Sequence, residues 1–209
     1  MPRPRNQTAR RAQLVEAAAQ TVLERGATNA RLRDIAEQAG LTPASVSYYY
    51  PDLTELLALV FERGAETYIR HRRQALESCD SAWAKLAACI RSGVPFPGEA
   101  ETTSRLLYEL LPVAFRNAPA AEQQAHFVAD QTDLYRQVLD EGDRLGEFRL
   151  VAPADFLARS FVALEDGYGM DVLAGSATAE DVENRLLLHA QLATQVTATK
   201  QGVRLPLPG

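Results

Sequence analysis

The chain has 209 residues, with 22 Lys and Arg, 27 Asp and Glu and three His, and its formal net charge is −5. Hydrophobic residues make up 46% and charged residues 23%, a balance that excludes collagen-like and disordered proteins and permits one or two domains with a buried core. No apolar run reaches the length of about 18 residues that a transmembrane helix needs, and none follows the basic N-terminus as in a secretory signal. Two cysteines, Cys79 and Cys89, are too few for a disulfide framework, so we expect a cytoplasmic protein with reduced thiols.

Charge is distributed unevenly along the chain. Residues 1–50 contain seven arginines and four acidic residues, so this segment carries +3 and the remainder carries −8. A basic segment on an acidic body is attracted to polyanions, while the net charge of the whole protein favours solubility. The distribution therefore indicates a polyanion-binding region at the N-terminal end.

Every long segment of the chain has the apolar spacing of a helix. Apolar residues recur at intervals of three and four, and no alternating run is long enough to predict a sheet. We therefore predict an all-α fold. In chain order, helices are expected at about residues 8–25, 32–39, 43–49, from 53 through 68, 81–91, 103–116, 120–141, 153–173 and 178–199. Residues 93–98 contain two prolines and two glycines and predict a loop.

Capping signals divide the chain after residue 51. Thr42-Pro43 supplies an N-cap and a first helical residue for the third helix, and Pro51 ends that helix. Asp52-Leu53-Thr54-Glu55 resembles a capping box at the start of the next helix. We predict a three-helix N-terminal domain over residues 1–51, a helical domain over residues 52–200 and a flexible tail over residues 201–209.

The second and third helices have the spacing of a helix-turn-helix, because only Gly40-Leu41-Thr42 separates them. In this motif the second helix lies in the major groove of DNA with its N-terminal residues toward the bases. We expect Val46 to face inward with Ile35, and Tyr50 to lie in the core. Small hydroxyl and methyl groups suit contact with bases, and tyrosine hydroxyls can donate to phosphates. The candidate DNA contacts of this helix and its cap are Thr42, Pro43, Ala44, Ser45, Ser47, Tyr48 and Tyr49.

Three arginines outside the third helix are further candidates for DNA contact. Arg3 and Arg5 alternate with prolines in what we expect to be an extended arm. Such an arm either enters a minor groove or is a disordered basic tail with only nonspecific phosphate contacts. Arg31, just before the second helix, is a candidate for a phosphate contact.

The N-terminal motifs resemble the signature of the TetR family of bacterial transcriptional regulators. The residues that carry the resemblance are Arg33-Asp34-Ile35-Ala36, Ala39-Gly40-Leu41-Thr42-Pro43, Val46, Tyr48-Tyr49-Tyr50-Pro51-Asp52 and Leu56-Leu57. The body is less similar, and there the resemblance is carried by Gly146-Glu147-Phe148-Arg149 and by Ala163-Leu164-Glu165-Asp166-Gly167. The resemblance implies a three-helix DNA-binding head followed by a helical ligand-binding and dimerisation domain.

The sequence departs from the family pattern at a few positions of the head. The family usually has Phe where Tyr50 stands, often Tyr where Ser47 stands, and Lys where Leu53 stands. That lysine binds a phosphate at the start of the fourth helix, so its absence predicts a shallower salt dependence of DNA binding. Family members also often carry Thr near Ala30 and Arg31, and Arg31 could replace a hydroxyl contact to phosphate by a charged one.

The last two predicted helices, at about 153–173 and 178–199, are candidates for a homodimer interface. Leu157, Phe161, Leu164 and Tyr168 form one apolar face of the first of these helices, in which Gly167 and Gly169 permit close approach of a partner helix. Val182, Leu186, Ala190, Ala193 and Val196 lie on one face of the second. Two such helices from each subunit would form a four-helix interface. The alternative is that these faces pack only within the chain.

A small-molecule effector site is expected among the helices of the body, as the resemblance implies. An apolar cavity with a few polar groups is the default for such a site. The candidate lining residues are Trp83, Tyr108, Phe115, Tyr135, Phe161 and Glu165. Glu165 could face a cationic ligand together with aromatic rings, or it could lie at a rim or pair with an arginine.

No catalytic, cofactor or metal motif occurs in the sequence. The three histidines lack neighbours at metal-ligand spacing, and there is no phosphate-binding loop or nucleophile motif. Cys79 and Cys89 are more consistent with incidental thiols than with a redox pair.

We therefore predict a dimeric, ligand-responsive repressor that binds a near-palindromic operator in double-stranded DNA and is released by a small molecule. The alternative is a helical small-molecule-binding protein that no longer binds specific DNA, which the departures at Ser47 and Leu53 would allow. An all-α enzyme is a third hypothesis, for which the sequence offers no catalytic residues.

Overall fold

The computed structural model describes the backbone of residues 4–196 and the side chains of residues 7–196. Within this range the regular elements are all α-helices, which confirms the predicted all-α fold. In chain order the helices are α1 (Pro4–Arg25), α2 (Leu32–Gln38), α3 (Pro43–Tyr49), α4 (Leu53–Glu77), α5 (Ala82–Gly93), α6 (Glu99–Ala114), α7 (Ala118–Arg144), α8 (Ala154–Leu173) and α9 (Ala179–Thr194).

The helices belong to two compact units. The first unit contains the residues up to Tyr68 together with Glu101–Phe127, and the second contains Ile69–Ala100 together with the residues from Val128 onward. The predicted division after residue 51 falls at the connection between α3 and α4, inside the first unit. A separate DNA-binding function for residues 1–51 and a sensing function for residues 52–200 stay predictions.

Local capping explains where the helices of the first unit begin and end. The hydroxyl of Thr42 accepts a hydrogen bond from the Ser45 N–H at 3.2 Å, so Thr42 is the N-cap of α3 as expected. Asp52 Oδ1 accepts from the Thr54 N–H at 2.8 Å at the start of α4. Between α2 and α3, Gly40 has φ +65°, a left-handed conformation that glycine adopts without strain.

Apolar packing joins the first three helices. α2 packs against both α1 and α3. Val46 and Tyr50 are buried as predicted, and the Arg11 guanidinium lies 5.2 Å from the centre of the Tyr50 ring. The side chains that form this core are Leu14, Ala18, Val22, Ile35, Ala36, Val46 and Tyr50.

The N-terminal helix is longer than the sequence predicted. α1 begins at Pro4 instead of near Thr8, so Arg5 is part of a helix and its expected place in an extended arm is wrong. Proline is favoured at the first position of a helix, where its fixed φ suits the helix and its missing N–H has no partner to lose. Arg3 lies outside the described residues.

The last helix is shorter than predicted. α9 ends at Thr194 because Gln195 adopts a left-handed conformation with φ +52°. Its final carbonyls accept hydrogen bonds from the loop before α8, with Arg149 N–H donating to Thr194 at 2.8 Å and Val151 N–H to Ala193 at 3.0 Å. The predicted continuation to residue 199 extends beyond the described residues, as does the predicted tail at 201–209.

The apolar faces predicted for a dimer are occupied within the second unit. α8 packs against α9, and α9 packs against α5. Leu157 and Phe161 of α8 are buried by this packing, and so are Val182, Leu186, Ala190 and Ala193 of α9. These residues fill the interior of the unit, so the prediction that they face a second subunit is wrong. Leu164, Tyr168 and Val196 are half-buried, and for them the prediction is not tested.

No helix among residues 4–196 is long and apolar enough to cross a membrane.

Candidate DNA-recognition surface and buried ionic cluster

The outer face of α3 is the candidate DNA-recognition surface. Tyr48 is 72% exposed, although large aromatic side chains are usually buried. Thr42, Pro43, Ala44 and Ser47 are also exposed, and Ser45 is half-buried. Because Val46 and Tyr50 fix the helix to the core, these neighbouring side chains are held toward solvent by the period of the helix. Their contacts with DNA stay a prediction.

Tyr48 and Tyr49 support each other at the end of this surface. Their rings meet edge to face, with centroids 5.2 Å apart and an interplanar angle of 87°. Such a pair restricts two side chains that would otherwise move freely in solvent. Tyr49 is half-buried and Tyr48 is the outer member of the pair.

Arg31 is exposed at the start of α2, but part of its guanidinium is already engaged. Its Nη1 donates to the carbonyl oxygens of Thr28 and Ala30, each at 3.0 Å. The other nitrogen atoms of the Arg31 guanidinium remain available to a phosphate at the start of α2. The predicted phosphate contact is therefore compatible with the geometry and is not tested by it.

A cleft of about 300 Å³ lies within the first unit, beside the start of α4. Leu53 and Leu57 of α4 contribute to its wall, with Thr28 from the α1–α2 loop and Arg116 from the α6–α7 loop. None of the six candidate effector residues lines this cleft.

A buried ionic cluster occupies the interior of the second unit. The side chain of Arg72, near the end of α4, has no exposed surface. Its Nη1 donates to Glu165 Oε2 at 2.9 Å and its Nη2 to Glu165 Oε1 at 3.1 Å, a two-pronged contact with a carboxylate of α8. Nη2 also donates to the Cys89 carbonyl oxygen of α5 at 3.0 Å. A buried charge of this kind persists only when it is paired and hydrogen-bonded in this way.

Aromatic rings complete the cluster. The Arg72 guanidinium carbon lies 5.1 Å from the centre of the Tyr135 ring, within the range of a cation–π contact. The Tyr135 hydroxyl donates a short hydrogen bond to Glu165 Oε1. On its other side Tyr135 stacks on Phe161 with centroids 4.8 Å apart, and His189 meets Phe161 edge on at 5.0 Å.

Burial dominates the acid–base properties of the cluster. It raises the pKa of Glu165, and the contact with Arg72 opposes that rise only in part. Burial also raises the pKa of Cys89 and, with the Glu165 charge, holds the pKa of Tyr135 well above its usual value. A thiol with a raised pKa is a poor nucleophile, which agrees with an incidental role for Cys89.

Gly93, the last residue of α5, fixes the position of the carboxylate. A Cβ at this residue would collide with both oxygens of Glu165. Only glycine therefore lets the Glu165 side chain reach its place between α5 and Arg72.

The structure separates the six candidate effector residues. Tyr135, Phe161 and Glu165 are brought into contact in the cluster, while Trp83 is buried elsewhere on α5 of the same unit. Tyr108 and Phe115 belong to the first unit, where Phe115 is 78% exposed. The carboxylate of Glu165 pairs with an arginine, one of the two alternatives considered for it. A role of these residues in effector binding stays a prediction.

The sequence prediction missed Arg72, which pairs with Glu165, and two further acceptors of Arg72: the Cys89 carbonyl and Gln131, whose Oε1 lies 3.4 Å from Arg72 Nη1. A signal for Arg72 was present. It lies at helical spacing from Leu57, Phe61 and Tyr68 on α4, so the period places a charge on the apolar face of that helix. Such a residue requires a buried counter-charge, and Glu165 was already identified as an acid within an apolar helix.

A second apolar face of α8 and α9 is exposed. Phe156 is 64% and Leu192 66% exposed, and Met170 and Leu188 are exposed by about half. Phe156, Gly167 and Met170 lie at helical spacing on one side of α8, where a Cβ at Gly167 would meet nothing within 4 Å. This outer face differs from the face that the sequence had suggested.

Comparison with known proteins supports the assignment of the head. The family model of bacterial regulatory proteins of the tetR family matches residues 14–60. YfiR of Bacillus subtilis (strain 168), an uncharacterized HTH-type transcriptional regulator, is 24% identical over 178 residues, which are 83% of this chain and 84% of YfiR.

Solved structures share the fold over most of the chain. A TetR transcription regulator from Haloarcula marismortui ATCC 43049 gives a TM-score of 0.80 at 20% identity, over 90% of this chain and 100% of that chain. A protein from Saccharomonospora viridis, solved in complex with choline, gives a TM-score of 0.79 at 22% identity, over 86% of this chain and 94% of that chain.

A three-helix head with an outward recognition helix, joined to a helical body, defines a helix-turn-helix transcriptional regulator. Residues 14–60 match the N-terminal domain of the TetR family of these regulators, and the head motifs and the fold agree with a regulator of that type.

Proposed function

We propose that this regulator is a homodimeric, ligand-responsive repressor that acts in the cytoplasm rather than catalysing a reaction. Two copies of α3 would occupy successive major grooves of a near-palindromic operator, one helical turn of about 34 Å apart. The observation that carries the proposal is the outward face of α3, on which Tyr48 is 72% exposed beside a core that fixes the helix. A small molecule would release the DNA by binding the DNA-incompetent state more tightly.

The outer face of α8 and α9 supports the dimer. Phe156 and Met170 of α8 and Leu188 and Leu192 of α9 are large apolar side chains that remain exposed on two helices that pack against each other. Exposed apolar surface of this kind commonly marks an interface. A two-fold axis through this face would place the same four residues of each copy together.

Dimerisation can be tested without DNA. Leu192→Glu places a charge on the proposed interface, and we expect sedimentation velocity to show a monomer where the parent protein is a dimer. Leu145→Glu is a matched control, because Leu145 is an exposed leucine of the same unit outside α8 and α9. An unchanged dimer in Leu192→Glu would contradict the proposed interface.

The effector site is proposed to lie among the body helices, with Trp83, Tyr108, Phe115, Tyr135, Phe161 and Glu165 as candidates. The structural relative from Saccharomonospora viridis was solved with choline, a cation, which makes a cationic effector a reasonable first class to screen. The carboxylate and aromatic rings around Glu165 have the chemistry that binds cations.

Selection from a random duplex library with the purified protein, at about 50 and 200 mM salt, tests DNA recognition. We expect an enriched inverted repeat, which would then serve as the probe in an effector screen. Weak binding that disappears at the higher salt, with no enriched sequence, would instead support the small-molecule-binding alternative.

A further inference from the structure

We propose that Glu165, Tyr135 and the Cys89 carbonyl form a cation receptor that the Arg72 guanidinium fills as a built-in occupant, and that a cationic effector acts by taking the place of Arg72. The effector action rests on the proposed regulatory function, but the cation receptor itself can be tested without it.

The receptor presents only groups that attract a cation with N–H donors. Both oxygens of Glu165 accept from Arg72 at 2.9 and 3.1 Å, and the Cys89 carbonyl accepts at 3.0 Å. The Tyr135 ring supplies a π face 5.1 Å from the guanidinium carbon. The Tyr135 hydroxyl points its proton at Glu165, so it holds the carboxylate and leaves the cation to the other acceptors.

Receptor and occupant come from different helices. Cys89 lies on α5, Tyr135 on α7 and Glu165 on α8, whereas Arg72 alone comes from α4. Because the guanidinium is carried by α4, its departure would remove none of the groups that form the receptor. A small guanidinium or amidinium ion therefore matches the place that Arg72 would vacate.

The receptor is held in place independently of Arg72. The Tyr135 ring is fixed by its stacking on Phe161 at 4.8 Å. The Glu165 carboxylate lies against Gly93, in space that a side chain on Gly93 would fill. A buried carboxylate is strongly unfavourable without a counter-charge, so this receptor requires a cation, from the chain or from solution.

The identity of the occupant has a consequence for α4. This helix begins at Leu53, four residues after α3 ends at Tyr49, and Arg72 attaches its C-terminal part to α5, α7 and α8. When another cation fills the receptor, that attachment is lost although the receptor stays stable. The effector class that fits is a monosubstituted guanidinium or amidinium, with an apolar substituent to lie against rings such as Phe161.

The test uses Arg72→Ala and methylguanidinium as the probe. If the ion binds with a Kd of about 1 mM, about 10 mM should raise the Tm of Arg72→Ala by about 3–6 °C, in a saturable manner. Arg105→Ala, which removes a partly exposed arginine of α6, leaves Arg72 in the receptor. Like the parent protein it should show a much smaller shift, because methylguanidinium must there compete with the Arg72 guanidinium. Tetramethylammonium has the charge without N–H donors and should stabilise Arg72→Ala less.

Arg72→Ala could be unfolded in the absence of the ion. In that case its refolding from urea with and without methylguanidinium replaces the thermal scan, and we expect a larger folded fraction with the ion. Equal effects on Arg72→Ala and Arg105→Ala, or no effect on either, would overturn the receptor.

Operator binding then distinguishes an attachment of α4 from a merely structural ion pair. We expect Arg72→Ala with methylguanidinium to be folded but to bind the operator about tenfold more weakly than the parent protein. Operator affinity restored together with stability would overturn the effector mechanism and leave the receptor intact. If the parent protein binds no operator, the proposed function fails, and the thermal measurement still decides the receptor.

Discussion

The candidate DNA-recognition surface on α3 and the ionic cluster around Arg72 are opposite kinds of site. The first consists of neighbours in sequence between Thr42 and Tyr49, and most of its side chains are exposed. The second joins four helices, and 93 residues separate Arg72 from Glu165. Exposed residues of a local motif should be replaceable with little change in stability, whereas the members of a buried network should not.

The largest expected effect comes from breaking the cluster. Glu165→Ala leaves the Arg72 guanidinium buried without its counter-charge, and we expect the free energy of unfolding to fall by about 3–5 kcal/mol. Urea unfolding measures this loss. The control is Arg105→Ala, which breaks a partly exposed ion pair with Glu101 within α6 and should cost at most about 0.5 kcal/mol.

A double substitution sharpens the same comparison. Arg72→Met with Glu165→Leu removes both charges, and we expect it to recover most of the stability lost in Glu165→Ala. A double variant no more stable than Glu165→Ala would show that packing, not the unpaired charge, causes the loss.

Gly93→Ala should have the next largest effect. The added methyl group collides with the Glu165 carboxylate, and we expect a loss of about 1–3 kcal/mol in the free energy of unfolding. In a Glu165→Ala background the same substitution should cost much less, because the carboxylate is gone. Additive losses in this double-mutant cycle would contradict a direct contact.

Tyr48→Ala addresses the recognition surface. We expect the affinity for the selected operator to fall about tenfold, while unfolding stability changes by no more than about 0.5 kcal/mol and the dimer is retained. Fluorescence anisotropy with labelled duplex measures the affinity. Phe115→Ala is the control, since Phe115 is an equally exposed aromatic residue outside the helix-turn-helix. Unchanged binding by Tyr48→Ala would remove this residue from the interface.

The smallest expected effect is a pH dependence from His189. Burial lowers the pKa of this histidine below its usual value of 6.5 in the folded protein. As the pH falls below 6.5, the unfolded chain therefore takes up a proton more readily than the folded chain, and stability is lost.

Thermal scans at about pH 5.5 and pH 7.5 should show a smaller acid loss in His189→Gln than in the parent protein. Glu165 acts in the opposite direction, because burial raises its pKa in the folded protein. Its contribution to the stability of the fold is therefore lost as the pH rises above the usual pKa of a carboxyl group. Its effect is common to both proteins and cancels in their difference. An equal acid loss in the two proteins would show that His189 does not titrate in this way.

The comparison also explains what the sequence could predict. The N-cap of α3 and the buried residues of the head could be predicted from sequence spacing alone. They are set by residues that lie close together in the chain: Thr42, Pro43, Val46 and Tyr50. The helical period places Arg72 on an apolar face of α4, but its pairing with Glu165 of α8 depends on tertiary packing, which no local pattern encodes. The same limit applies to α8, where two apolar faces were present and the sequence could not show that Leu157 packs inward while Phe156 stays exposed.

Helix ends were predictable only where a local signal decides them. Gly40 and Thr42 mark the turn before α3 with their own conformational preferences. The end of α9 instead depends on N–H donors of Arg149 and Val151, more than 40 residues earlier in the chain. The early start of α1 at Pro4 was missed because prolines that alternate with Arg3 and Arg5 indicate an extended arm as readily as a helix start.

The 93 residues between Arg72 and Glu165 also set an order of events during synthesis. At about 5–20 residues per second, Glu165 leaves the ribosome roughly 5–20 s after Arg72. Throughout that interval the guanidinium lacks its Glu165 partner. The nascent chain therefore cannot complete the interior of its second unit until α8 has been made.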